Sequence, residues 1–132
     1  MKASTADALR VLVVEDHQDT ADTICRTMRA LGHEVLCARC IAEARQILSS
    51  ERLDAMVLDI LLPDGFGWEL LENPKLPKGI YVGVLTAWSG GDYRQRMSDL
   101  GCRDFLFKPF GVELLPSFLQ RAMHERRRNG TK

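Results

Sequence analysis

Residues 53–65 read Leu-Asp-Ala-Met-Val-Leu-Asp-Ile-Leu-Leu-Pro-Asp-Gly: an apolar run, a lone carboxylate at Asp59, and then a turn bearing Pro and Gly. Leu53, Ala55, Met56, Val57 and Leu58, interrupted only by Asp54, leave no polar face. A run of this kind suits a strand buried on both faces, as in a parallel sheet covered by helices. Asp59 then stands at the strand's C-terminal end, where open α/β sheets carry their sites. Taken alone, an Asp in this place simply starts a turn. Its meaning depends on whether other charged residues converge on it.

The rest of the chain repeats the arrangement. Leu9–Val14 is a β-branched apolar run that breaks into Glu15-Asp16-His17-Gln18-Asp19. From Thr20 to Leu31, Ala21, Ile24, Cys25, Met28 and Leu31 recur at helical spacing, with Asp19 or Thr20 as cap and Gly32 at the C-terminal cap position. A short strand over 33–38 and a helix over 41–50 follow, then the strand at 55–59. Beyond the Pro63-Asp64-Gly65 turn, Trp68 to Glu72 has room only for a short helix, because Pro74 and Pro77 stop it. A fourth strand over 80–85 ends in Thr86-Ala87. A weakly amphipathic helix over 93–100 precedes a fifth strand, 104–107, ending at Lys108-Pro109. The last helix spans 112–127, with Pro116 loosening its first turn and Arg126-Arg127-Arg128 as a solvated terminus suited to that pole of the dipole.

Strands alternating with helices in this way predict an α/β fold: a doubly wound five-stranded parallel sheet, order 2-1-3-4-5, flanked by five helices, the third shortened. No repeat or linker divides it. The expected domain covers 9–127, with tails at 1–8 and 128–132. At 132 residues, 45% of them hydrophobic, the chain can bury a real core, and 18 basic against 18 acidic side chains give no field for direct nucleic-acid or membrane binding. No apolar run approaches a membrane span or a signal core, so a cytoplasmic protein is expected. Of the four cysteines, Cys37 and Cys40 form a C-x-x-C. Cys37 lies near a strand end rather than at a helix N-terminus, and no second ligand pair completes a zinc site, so structural or loop thiols are expected.

In the parallel order the C-terminal ends of strands one, three, four and five share one edge, with neighbours about 4.8 Å apart. Glu15, Asp16, Asp59, Thr86 and Lys108 are thereby gathered. Three carboxylates so close repel unless cations sit among them. Lys108 supplies one positive charge, and an all-oxygen set suits Mg²⁺ better than zinc. The same acids argue against a phosphate or flavin loop after strand one, which needs amide donors.

With these residues in place the chain resembles the receiver domain of two-component response regulators, a flavodoxin-like fold. The match covers residues 9 to 125 and rests on Glu15-Asp16, the Asp59…Pro63…Gly67 segment, Thr86-Ala87 and Lys108-Pro109-Phe110, in the family's order and near its spacings. The resemblance implies that Asp59 accepts a phosphoryl group from the phosphohistidine of a histidine kinase or phosphotransfer protein. It implies that Glu15, Asp16, Asp59 and the backbone carbonyl of Leu61 hold Mg²⁺, and that Lys108 and Thr86 contact phosphoryl oxygens. It further implies a cis Lys108–Pro109 peptide and a switch in which Thr86 moves inward and Phe105 follows. Phe105 lacks the hydroxyl of the Tyr frequent there, and plain core packing is its alternative. Leu61 and Trp88, two residues beyond Asp59 and Thr86, occupy the positions that tune hydrolysis. The only catalysis expected is of the chain's own phosphorylation and dephosphorylation.

The interval from Asp59 to Thr86 is a few residues shorter than usual in the family, which puts surfaces of the third helix in doubt. A metal-dependent phosphatase would need a second acid beside Asp59, where Ile60 and Leu61 are apolar. The remaining alternative is a receiver-like interaction module acting without phosphorylation, whose mark would be loss of the acids or the lysine; none is lost. A stand-alone regulator, a phosphorelay shuttle and one piece of a larger protein remain open, as does self-association through the last helix.

Overall fold

A computed structural model describes residues 7–73, 76–87, 91–108 and 111–130. Its sheet has five parallel strands: β1 Arg10–Val14, β2 Glu34–Ala38, β3 Ala55–Asp59, β4 Tyr81–Thr86 and β5 Cys102–Phe107. Their order is β2-β1-β3-β4-β5, so the chain reverses direction across the sheet between β1 and β3. The helices are α1 Gln18–Ala30, α2 Ile41–Ser50, α3 Trp68–Leu71, α4 Gly91–Asp99 and α5 Leu115–Gly130. The expected α/β doubly wound order is the one observed.

Two cores form because successive strand residues point to opposite faces. Val11, Val13, Ala55, Val57 and Leu85 pack with Ile24 and Met28 of α1 and with Leu115, Phe118 and Leu119 of α5. Leu12, Val14, Met56, Leu58, Val82 and Val84 pack with Ile41 and Ala44 of α2, Leu70 of α3 and Met97 of α4. All five residues of β3 are buried. That is why its sequence carries no alternation. Gly83 lets α5 approach the sheet, since a Cβ there would stand 2.6 Å from the Phe118 ring.

Several local expectations change. α1 begins at Gln18 rather than Thr20, and neither Asp19 nor Thr20 caps it: His17 is at the cap position with no side-chain cap bond. The Glu15 carboxylate takes the His17 amide at 3.3 Å, drawing the loop into the helix early. Gly32 does close that helix in a left-handed conformation, φ 98°. Pro116 falls in the opening turn of α5, and a 3₁₀ turn at Val112–Leu114 precedes it, the loosened start its missing N–H suggests. α5 runs on to Gly130. Arg126 is no mere solvated end, because it donates to the Ala8 carbonyl at 2.8 Å and pairs with Asp54 at 3.3 Å. The sulfur of Cys37 meets that of Cys25 on α1, and Cys40 stays apart.

The turn expected at Pro63-Asp64-Gly65 forms the tip of a small hairpin, Leu61–Leu62 against Gly65–Phe66, which the sequence did not suggest. α3 is one turn long, as its prolines require. Arg96 of α4 holds it, pairing with Glu72 and lying 5.6 Å from the Trp68 ring centroid.

Candidate functional site

The site is built from the ends of β1, β3, β4 and β5. β1 delivers Glu15 and Asp16, and the Glu15 amide bonds to the Ala38 carbonyl at 3.0 Å, continuing the β1–β2 ladder by one residue. β3 ends in Asp59, paired in register with Leu85, one residue before Thr86. β5 ends just before Lys108, whose amide donates to the Thr86 carbonyl at 2.7 Å. With Val14 of β1 also in register with Leu58 of β3, the four strand ends are tied to one another by backbone.

Glu15 and Thr86 are each 1% exposed and Asp59 6%, whereas Asp16 faces solvent. Lys108 Nζ lies 2.6 Å from Glu15 Oε1 and 3.1 Å from Asp59 Oδ2. Asp59 Oδ1 accepts the Leu61 amide at 3.3 Å. Burial raises the pKa of Glu15, its neighbour Asp59 adds to the rise, and Lys108 opposes it. Burial works against the charged ammonium of Lys108, but the two carboxylates outweigh it and its pKa is raised. Lys108 is therefore a firmly charged group between two acids.

Gly67 closes the loop behind the nucleophile candidate. Its amide donates to the Ile60 carbonyl at 2.6 Å, and a Cβ at this position would overlap the Asp59 backbone carbonyl. Only glycine allows that approach.

Glu15, Asp16 and Asp59 each offer a carboxylate oxygen, and these atoms lie within 4.8 Å of one another. Three carboxylates against one ammonium leave the cluster two negative charges in excess. The Glu15 oxygen contacting Lys108 has lone-pair capacity beyond that ion pair, so it can still accept a cation. A hard divalent ion with oxygen ligands fits this donor set. Phe105 is half-buried against the core below α4, with the Arg94 guanidinium 5.1 Å from its ring centroid and equally near Phe107. Leu61 is 57% exposed at the mouth of the site. Trp88 and Pro109 lie outside the described residues.

Sequence reasoning brought Glu15, Asp16, Asp59, Thr86 and Lys108 to one edge, and the structure places them there. It missed the resting Lys108–Glu15 ion pair and the fit of Gly67 under Asp59. The second had a signal, a glycine at a fixed short interval after an acid in a loop that must fold back.

Comparison with known proteins points to one family. Residues 11–120 match the response regulator receiver domain family. The chain is 34% identical over 121 residues to the swarming motility regulation protein RssB of Serratia marcescens, covering 91% of this chain and 54% of that one. It is 32% identical over 109 residues to the response regulator MprA of Mycobacterium tuberculosis, covering 82% of this chain and 47% of that protein. The chain thus spans about half the length of the curated relatives it matches. Among solved structures, the non-phosphorylated HemR receiver domain from Leptospira biflexa superposes with a TM-score of 0.80 at 33% identity, covering 87% of this chain and 94% of that one. A CheY-like receiver domain from Methanospirillum hungatei shares the fold at a TM-score of 0.85 and 23% identity, covering 92% and 98%. The chain belongs to the response regulator receiver domain family, the signalling module of two-component systems. No helix among the described residues is long and apolar enough to cross a membrane.

Proposed function

We propose that Asp59 is the phosphoacceptor of this receiver domain, taking its phosphoryl group from the phosphohistidine of a histidine kinase or phosphotransfer protein. The observation that carries this reading is the convergence of three carboxylates and one lysine at a single sheet edge, two charges short of neutrality. Asp59 attacks phosphorus as the phosphorus–nitrogen bond to imidazole breaks, and the ring leaves as neutral imidazole, keeping the proton already on its other nitrogen. Phosphoryl transfer needs little covalent help from the protein; positioning and charge neutralisation supply most of the catalysis. Glu15, Asp16, Asp59 and the Leu61 backbone carbonyl would hold Mg²⁺, which when bound neutralises charge on the transferred group. Lys108 pairs with one phosphoryl oxygen and the Thr86 hydroxyl bonds another.

The acyl phosphate adds charge and acceptor oxygens beside Thr86, and this draws Thr86 inward. Phe105, half-buried on the neighbouring strand, fills the space, and the face formed by α4, β5 and α5 changes its partner preference. Leu61 and Trp88 slow hydrolysis by hindering the attacking water. The domain spans 9–127 and works in the cytoplasm.

Acetyl phosphate with Mg²⁺, followed by intact-mass measurement, tests the assignment. One phosphoryl group should be gained, and Asp59→Asn should abolish the gain. An unmodified wild-type mass would instead favour an interaction module that works without phosphorylation.

A further inference from the structure

α2 begins after Arg39-Cys40, and the residue at its cap position, Cys40, makes no side-chain cap bond. The cap comes from elsewhere in the chain. Asp64, at the tip of the 61–66 hairpin, places Oδ1 2.8 Å from the Ile41 amide and Oδ2 3.0 Å from the Ala42 amide. The Ile41 hydrogen bond does most to hold this carboxyl below the usual carboxylate range, with the Ala42 amide assisting. Both oxygens are thus spent on the first turn of a helix that carries the positive end of its dipole there.

The same hairpin is fixed at its base. The Gly67 amide closes on the Ile60 carbonyl, and Gly67 lies against the backbone of Asp59. Leu61 sits between the two anchors, and its amide reaches back to Asp59 Oδ1. A hairpin of two residues per strand is far too short to hold its shape alone. Gly65 sits so close to α2 that a Cβ there would be 3.0 Å from Ile41 Cδ1. The tip is therefore seated on α2 as well as bonded to it.

We propose that Asp64 is a positioning residue of the phosphorylation site: by clamping the hairpin to α2 it fixes the Leu61 backbone carbonyl, and through the Leu61 amide the Asp59 carboxylate, for the cation. This rests on the assignment of Asp59 and Mg²⁺ above. Without the clamp, cation binding must itself order the loop, and that cost is subtracted from affinity. Outer groups that orient metal ligands typically matter by about 10- to 100-fold in metal affinity.

Losing Asp64 also uncaps α2, so capping and positioning must be separated. Glu43 stands three residues after Cys40 and already accepts the Arg39 amide at 2.9 Å. Cys40→Ser would place a hydroxyl acceptor at the cap position, able to take the Ala42 amide that Asp64 releases, independent of the hairpin. The experiment compares wild type, Asp64→Ala and the double variant Cys40→Ser/Asp64→Ala by thermal unfolding, by Mg²⁺ titration calorimetry, and by acetyl phosphate labelling over a range of Mg²⁺. Asp64→Ala should lower the Tm and weaken Mg²⁺ binding about tenfold. The double variant should regain the Tm but keep the weak Mg²⁺ affinity, and its labelling should reach a plateau only at higher Mg²⁺ than the wild type needs. Mg²⁺ affinity that returns with the Tm, or that never falls, overturns the positioning role. A wild-type protein that neither binds Mg²⁺ nor gains mass overturns the assignment of Asp59 itself, and the role of Asp64 with it.

Discussion

Lys108 lies nearer to Glu15, at 2.6 Å, than to Asp59, at 3.1 Å. Its resting partner is thus a proposed metal ligand as much as the proposed nucleophile. The ammonium and an incoming cation draw on the same carboxylates. Removing the ammonium should therefore help the cation while harming the chemistry. Lys108→Ala is expected to tighten Mg²⁺ binding by about tenfold, a modest share of the Coulomb interaction at these distances. The same variant should gain less phosphoryl group from acetyl phosphate. Calorimetry and intact mass read the two effects separately, and Mg²⁺ binding that weakens in the variant would contradict the competition.

Leu61 stands two residues beyond Asp59 with more than half its side chain exposed at the mouth of the site. An apolar group there offers an attacking water nothing to bond to. Leu61→Asn should shorten the life of the phosphorylated protein several-fold while leaving the rate of labelling nearly unchanged. Loss of the added mass with time, after acetyl phosphate is removed, measures it. An unchanged lifetime would remove Leu61 from the account.

At the opposite edge of the sheet, buried His33 accepts the Leu9 amide on Nδ1 at 2.9 Å. Burial lowers its pKa, and the positive charge of Arg126 adds to the effect. The folded value therefore lies below the unfolded one of about 6.5. Between the two the unfolded chain holds more protons, so stability rises with pH. The contribution is complete above the unfolded value and is lost as pH falls through it toward the folded one. Urea unfolding from about pH 5 to 8 should show this slope, reduced in His33→Asn, which keeps an acceptor without a titrating ring. Equal slopes in the two proteins would place the effect elsewhere.

Burial pushes the Cys102 thiol up to about 12, and its sulfur lies 3.1 Å from the Asp104 carbonyl. Cys40 is only half-buried. Because the thiolate is the reacting species, iodoacetamide at pH 8 should label Cys40 in the folded protein and reach Cys102 only after urea is added. Peptide mass mapping distinguishes them, and prompt labelling of Cys102 would contradict its enclosure.

Much of this was legible from the sequence because the sheet is buried on both faces. Runs such as Val11–Val14 and Ala55–Leu58 fit no surface element, and each ends abruptly at a polar residue. Strand order and site edge follow together from that. What stayed hidden depends on contacts between distant segments. The cap of α2 comes from Asp64, more than twenty residues away, and Pro63-Asp64-Gly65 reads locally as a turn and nothing more. The Cys25–Cys37 approach was equally invisible, since C-x-x-C directs attention to Cys40. The Arg126–Asp54 pair was lost inside a basic run whose ordinary meaning is a solvated helix end.

Of the three clustered acids only Asp16 meets solvent; Glu15 and Asp59 lie beneath it, with Lys108 bridging them. Asp16 is therefore the carboxylate that a hydrated cation approaching the cluster would meet first, before the two acids withdrawn from water.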